Sequence, residues 1–597
     1  MKTSTEKQNI KRSNLIEFGA AVLIIVFLNI IGHYLFGRLD LTAEHRYTLD
    51  KSTKAMLKDV DETVLFRIFL EGDELPAQYQ RLQNETREML NQFRSYNKNV
   101  TYEFQDASPA SFEDQAACQD FYKKLAEAGI QPASVQMQTK NGVNQQVLIP
   151  AAEVTYKGRQ SYIQLMQSQS YMSEEEAVNN SVQDLEYVLG NAIRNLSKSV
   201  KPKVGFLLGH GELERGSVYD IQMALTENYR LENVTLNNNV NALTGRSRNS
   251  QDSSIHLYNK YDVLVIAKPT QAFSDQELYL IDQYVMYGGR VLFLVDPLAA
   301  DIDSLSEQSQ TIAVRNNVNL EEMLFTYGVR INPDLIMDMR CRPIPMAVGQ
   351  VGDKPQLAFK PWYYFPDIIP TSPHPIVRNL DMIKTDFVSS MDLIENTVNK
   401  TILLATSEWS RVKNAPAIIN LDDAKVDPDQ RLYNRKNLPI AVLMEGNFRS
   451  MFRSRLTPQF TQLPEMGYKD TSTFTRMIVI SDGDIIKNRF NYKDGSWHPL
   501  GYDYYTRTMY ANKQFLLNAI DYLAGNEEAL SVRSRDVKLR KLNPIKVKEQ
   551  RTLYQWLNVL VPVVIVLIGG GVYLFCRNRK VKGATSNKDS KRTLKKK

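Results

Sequence analysis

The chain has 597 residues, 43% of them hydrophobic and 23% charged, and a net charge of +6. That balance is globular rather than disordered, and at roughly 100–200 residues per domain the length has room for two or three domains. Much of the positive excess sits in the two tails and no basic stripe runs through the middle, which excludes a nucleic-acid-binding body.

The only cysteines are Cys118, Cys341 and Cys576, too far apart in sequence for a disulfide framework or a C-x-x-C motif. A body this large does not depend on disulfides, and the scarcity of cysteine is compatible with an oxidising compartment.

Residues 1–14 form a basic tail carrying Lys2, Lys7, Lys11 and Arg12. A transmembrane helix is predicted over 15–36, where 18–36 (FGAAVLIIVFLNIIGHYLF) has no formal charge. At 1.5 Å per residue, ~20 residues cross the hydrocarbon layer. The competing reading, a cleaved signal peptide, needs a small-x-small site, and the run instead ends in bulky residues. An exit segment, 37–60, leads onward, with Thr48 or Asp50 placed to cap a short helix starting near Lys51.

Residues 61–200 read as an α/β domain. Strand-like runs lie at 63–70, 100–104, 134–138 and 146–149. Helical spacing covers 76–96, 121–128 and 174–196. Asn141-Gly142 predicts a hairpin turn between the third and fourth strands. The order β-α-β-α-β-β-α resembles a thioredoxin-like domain, without the C-x-x-C that its redox chemistry needs.

Residues 201–530 read as a second, larger α/β domain. Strands are predicted at 203–208, 261–267 and 290–295, with helices at 218–228 and 274–287 between them. Ser274 and Glu277 form a capping box. Alternation of this kind implies a parallel sheet covered on both faces. Residues 439–444 and 476–480 could add strands, and 512–523 a last helix. Residues 301–320 and 411–435 are polar and read as loops, while the Pro-rich 340–380 cannot be regular throughout.

A basic juxtamembrane stalk at 531–555 precedes a second transmembrane helix at 556–576. Its Pro562 and Gly569–Gly571 are tolerated in a membrane helix, and Trp556 and Tyr573 stand near its ends. The tail 577–597 is strongly basic. Positive tails favour the cytoplasm, so both termini are expected inside and the main body outside. The stalk, with Lys538, Arg540, Lys541, Lys546 and Lys548, runs against this rule and is read as touching anionic headgroups or a partner.

The candidate pocket is Gly209, His210, Gly211, Glu212 and Asp296, at the carboxyl ends of predicted strands, where open α/β sheets place ligands. His-x-Glu could bind a metal or move protons, but no Cys or second His completes a metal set. The plainer reading is a tight glycine turn with a locally bonded His210. No G-x-x-x-x-G-K-[ST] loop and no nucleophile elbow occur, so neither nucleotide hydrolysis nor acyl transfer is expected. No metal or cofactor is called for.

Four segments, LDLTAEHRYTLDKST, GFLLGHGELE, YDVLVIAKPTQAFSDQELYLIDQYVMYGGRVLFLVDP and LSVRSRDVKLRKLNP, resemble the GldG family of gliding-motility ABC-transporter accessory proteins, among the auxiliary components of ABC-type transport. The resemblance implies a middle domain of glutamine-amidotransferase type lacking its catalytic cysteine. It implies a bacterial inner membrane, a polytopic membrane subunit like GldF, and, indirectly, a cytoplasmic ATPase like GldA. The function implied is a non-enzymatic periplasmic accessory subunit supporting gliding motility or linked secretion. Two alternatives stay open: a solute-binding component of an ABC transporter, and an enzyme using His210 and Glu212.

Overall fold

The computed structural model describes residues 48–530 with short interruptions, residues 550–593, and scattered positions between 16 and 27. Most of the first predicted membrane span and of the 531–555 stalk lies outside the described residues. Two compact units are defined, Met1–Asp536 and Val537–Lys597.

In the first unit, Lys51–Lys58 is helical and Asp50 is its cap, accepting from the Ser52 N–H at 2.9 Å. Val64–Ile68 pairs in parallel with Val100–Phe104, as the intervening helix Ala77–Tyr96 requires. That helix buries Tyr79, Leu82, Thr86, Leu90 and Phe93, one stripe at three- and four-residue spacing. The stripe packs on Phe66 and Ile68, both fully buried. Burying an aromatic of this size contributes about 1.5–3 kcal/mol.

The strands that complete this sheet are not those read from the sequence. Ala133–Thr139 and Gly142–Leu148 do exist, with Thr139 opposite Gly142, but they form a hairpin of their own. Ala151–Tyr156 and Arg159–Gln164 instead extend the sheet in antiparallel fashion. The turn joining them is Lys157-Gly158, with φ of 50° and 71°. It is a two-residue turn of the type that usually announces itself as Asn-Gly or Asp-Gly. Arg67 locks three strands together, reaching Glu103 at 2.6 Å and Glu153 at 2.7 Å across directly opposed positions.

The main sheet has seven strands, in the order Asn399–Ala405, Pro439–Gly446, Thr475–Ile480, Arg290–Leu294, Val263–Ala267, Lys203–Leu208, Arg230–Thr235. The last five run parallel, and the first two form an antiparallel edge. Successive side chains point to opposite faces. Val263 and Val265 therefore join Phe515, Leu516 and Ile520 of the Asn512–Leu523 helix in one core. Leu264 and Ile266 join Leu278, Ile281 and Val285 of the Asp275–Met286 helix in the other. The capping box predicted at Ser274 and Glu277 is present in both directions.

The polar stretches expected as loops carry short strands: Gln310–Arg315 pairs with Ala417–Asn420, and Ser410–Asn414 pairs with Asp334–Asp338. Gln310–Arg315 buries only Ala313 and leaves Ile312 and Val314 about half exposed, so its apolar residues do not show the alternation of a half-buried strand. The Pro-rich region contains a long ribbon, Cys341–Val351 against Lys354–Ile368, with Pro343 opposite Pro361. Proline is tolerated because Cys341–Val351 is an edge strand, and Lys354–Ile368 meets a further strand, Ile383–Lys384, only at Asp367 and Ile368. Register shifts at Cys341/Pro343 and Ala347/Gly349 absorb the remaining misfit.

In the second unit, Arg551–Thr593 is one continuous helix with Pro562 inside it. Its segment Arg551–Phe575 is long and apolar enough to cross a membrane, and none of it is buried.

Candidate functional site

Three groups of side chains gather beyond the carboxyl ends of the parallel strands. The first is built on the turn after Lys203–Leu208. Gly209 and Gly211 have φ of +119° and +70°, a region open to glycine. A Cβ on Gly211 would stand 2.1 Å from Thr270 Oγ1, so the close approach of the neighbouring loop also demands glycine there. The turn is closed by the Thr270 and Gln271 N–H groups donating to the His210 carbonyl at 2.9 and 2.8 Å.

His210 is 6% exposed. Its Nε2 lies 3.1 Å from Glu277 Oε2 and its Nδ1 3.5 Å from Glu212 Oε1. Its ring stacks on Phe273 with centroids 3.9 Å apart. Glu212 also accepts from the His210 backbone N–H at 2.7 Å. Burial disfavours the imidazolium, but the two carboxylates outweigh it and hold the His210 pKa above its ordinary value. Glu277 is displaced the other way: burial opposes its charge, and bonds from Ser274 and His210 lower its pKa nonetheless. Both ring nitrogens thus face protein carboxylates. The imidazole cross-links the glycine turn to the first turn of the Asp275–Met286 helix.

The second group contains Asp296, which pairs with Lys268 rather than with His210. Lys268 follows the Val263–Ala267 strand in the left-handed region, φ 55°. Its Nζ reaches Asp296 Oδ2 at 3.2 Å and Asp484 Oδ2 at 2.5 Å. Asp482 is fully buried beside them and caps Asp484 and Asp386 through their N–H groups at 2.8 and 3.0 Å. Burial, then the Asp484 charge, push Asp296 up to about 6, with Lys268 pulling the other way. Lys268 is driven up because its two carboxylates overcome the burial cost.

The third group surrounds Arg342, which is 4% exposed at the base of the ribbon. Its guanidinium faces Asp367 and Asp503 at 3.7 Å each, pairs with Asp386, and lies over the Phe365 ring at 4.5 Å. Burial raises Asp367 to about 6 in spite of Arg342. Beside this group lies a cleft of about 130 Å³ lined by Lys384, Lys487, Arg489, His498, Asp503 and three tyrosines among others.

Sequence reading found His210 and Glu212 through their glycines but not Phe273 or Glu277 as their partners. It found Asp296 but not Lys268, Asp482 or Asp484. Lys268 alone left a signal, a lysine just before Pro269 at the end of an apolar strand. Among the described residues no group of three or more His, Cys, Asp or Glu is arranged to hold a metal ion.

These features define a mixed α/β protein that carries an exposed helix long enough to span a membrane. Residues 201–519, more than half of the chain, match the family described as ABC-type uncharacterized transport system. The chain belongs to that family and so to the auxiliary components of ABC-type transport. Residues 43–155 match a domain of unknown function, DUF7088. A search of curated proteins finds no match. Among solved structures, similarity is found to the mmIFT52 N-terminal domain, at 12% identity over 54% of this chain and 96% of that one, with a TM-score of 0.27. It is also found to PurLQS from Thermotoga maritima, at 9% identity over 54% of this chain and 100% of that one, with a TM-score of 0.20.

Proposed function

We propose that the chain is a non-enzymatic accessory subunit of an ABC-type complex, anchored in a bacterial inner membrane with its body in the periplasm and both termini in the cytoplasm. Its partners are a polytopic membrane subunit of the GldF kind and, through it, an ATPase of the GldA kind, in support of gliding motility or linked secretion. The body is read as a thioredoxin-like domain, 61–200, followed by an amidotransferase-like domain, 201–530. The sheet order Val100–Phe104, Val64–Ile68, Ala151–Tyr156, Arg159–Gln164 supports the first reading.

The observation that carries the proposal is the unburied apolar stretch Arg551–Phe575 on a chain of an ABC-type transport family. The non-enzymatic part is supported by the strand ends. The strained residue after Val263–Ala267 is a lysine tied to two carboxylates, and His210 is held between two more.

Mild detergent extraction followed by affinity purification tests the reading. A polytopic membrane subunit is expected to co-purify in fixed proportion. Recovery of the chain by itself, folded and in good yield, would count against an accessory role. Protease added to spheroplasts should degrade the body; survival of the body would overturn its periplasmic placement.

A further inference from the structure

The cleft at Lys384 lies outside the His210 and Lys268 groups, and its charges do not balance. Four of its lining side chains, Lys384, Lys487, Arg489 and His498, are basic or can become so, against one acid, Asp503. That acid is already occupied. Its Oδ1 accepts from the Tyr505 and Thr506 N–H groups and the Thr506 hydroxyl at 3.1, 2.7 and 2.9 Å, and its Oδ2 faces Arg342 Nε at 3.7 Å.

The cations, by contrast, are poorly paired. Lys384 Nζ makes one long hydrogen bond, 3.4 Å, to the Tyr502 carbonyl, and no carboxylate comes within ion-pairing distance of it among the described residues. Its backbone is fixed on both sides, with Asn512 bonding the N–H at 3.0 Å and the carbonyl at 2.9 Å. Burial, followed by the Arg342 charge, pushes Lys384 down to about 8. Arg489 rests on the Tyr504 ring at 4.9 Å, and His498 stacks on Tyr502 at 5.4 Å. Lys487 has only a marginal contact with Asp484, at 3.7 Å.

A half-buried lysine with no carboxylate in ion-pairing distance is costly, and a bound anion reduces that cost. The cleft, at about 130 Å³, far exceeds the ~10–15 Å³ needed by one water. It is wide enough for a small oxyanion and its attached atoms. The wall of Tyr502, Tyr504 and Tyr505 adds ring faces and hydroxyls.

We propose that the cleft between Lys384, Lys487, Arg489 and His498 binds a phosphate-type oxyanion, either free, on a small phosphomonoester, or as a phospholipid headgroup. The inference is independent of the accessory-subunit reading, since it rests on the cleft alone.

The test is titration of the full-length chain, in a phosphate-free neutral detergent, with inorganic phosphate, glycerol 3-phosphate and micelle-doped phosphatidylglycerol. Binding is read by calorimetry, and by phosphorus NMR line broadening for the two soluble ligands. Saturable binding with Kd at or below about 1 mM is expected for at least one of them. The double variant Lys487→Gln/Arg489→Gln should weaken it at least tenfold. Lys493→Gln, an exposed change on the same loop outside the cleft, should leave it unchanged. Binding of the soluble phosphates assigns a free ligand; binding of phosphatidylglycerol alone, with the same variant dependence, assigns a headgroup. Absence of saturable binding for all three overturns the proposal, as does equal weakening by Lys493→Gln, which would mean diffuse surface charge. Lys384→Gln gives a separate check: with an unchanged melting temperature and unchanged affinity, it too would overturn the site.

Discussion

Lys268 Nζ lies 3.2 Å from Asp296 Oδ2, joining the ends of two neighbouring parallel strands. Asp484 shares the same ammonium, and the fully buried Asp482 lies beside the pair, accepting from the Asp484 and Asp386 N–H groups. The group ties Thr475–Ile480 to Arg290–Leu294 and Val263–Ala267 where their backbone pairing ends.

Lys268→Met should therefore destabilise the chain severely. Removing one partner of a buried ion pair costs about 3–5 kcal/mol because the other charge is stranded. The pH dependence has a definite sign. Asp296 has a folded pKa pushed up to about 6, so it holds its proton more tightly folded than unfolded, and its effect on stability worsens as pH rises through that value. Without the lysine this rise extends to higher pH. Denaturant unfolding in detergent should show a larger deficit at pH 8 than at pH 5. A wild-type midpoint at pH 8 would mean Lys268 is dispensable.

His210→Gln tests the imidazolium held between Glu212 and Glu277. Because the folded pKa of His210 is raised above 6.5, its contribution is complete below that value and is lost as pH rises through the folded pKa. Glu277, with a lowered pKa, contributes above 4.5 and loses its share as pH falls through its folded value. Stability from the pair is thus greatest in mildly acidic to neutral solution. The variant should lose about 1–3 kcal/mol, and its melting temperature should fall less steeply than wild type between neutral and alkaline pH. Parallel profiles would dismiss the charged pair.

How far these groups were readable depends on sequence distance. The capping box at Ser274 and Glu277 and the apolar run Val263–Ala267 are local patterns, and both stand in the structure as read. Lys268 and Asp484 are 216 residues apart, and only the assembled sheet brings them together. His210 was visible through its flanking glycines, but its partner Glu277 belongs to the Asp275–Met286 helix, with a helix and four strands between them among the described residues. The missed strands Ala151–Tyr156 and Arg159–Gln164 are separated by Lys157-Gly158, where Gly158 suits the turn but Lys157, at φ 50°, stands where Asn or Asp would have signalled it. The ribbon from Cys341 to Ile368 was hidden by its prolines, which normally argue against a strand.

Gly211→Ala should cost more than the strain of its φ of +70° alone. That strain is of order 1–3 kcal/mol, and the added methyl meets Thr270 Oγ1 at 2.1 Å. At Gly209 nothing lies within 4 Å of the added Cβ, so Gly209→Ala carries only the backbone strain of its φ of +119°. Calorimetric melting of the two single variants should rank Gly211→Ala lower, and pairing it with Thr270→Ser should not restore it, since the hydroxyl remains. The reverse ranking would show that Thr270 swings aside freely.

Arg342→Lys looks conservative and should not be. The guanidinium lies over Phe365 at 4.5 Å while addressing Asp367, Asp386 and Asp503 from separate nitrogens. An ammonium is a point charge that cannot fork in this way or stack as well. Asp367, raised to about 6 by burial with Arg342 as its main opposing influence, would move higher still, and Tyr510, 3.1 Å away, would keep only a neutral partner. The loss should be about 1–3 kcal/mol, in the range of a buried polar group left unsatisfied, and should shrink as pH falls below 6 and Asp367 takes up its proton. Because Asp503 Oδ2 is released towards the Lys384 cleft, the variant should also bind phosphate more weakly than wild type. Retention of full stability at pH 8 would mean that the charge alone, not the planar fork, holds the ribbon's base to the body.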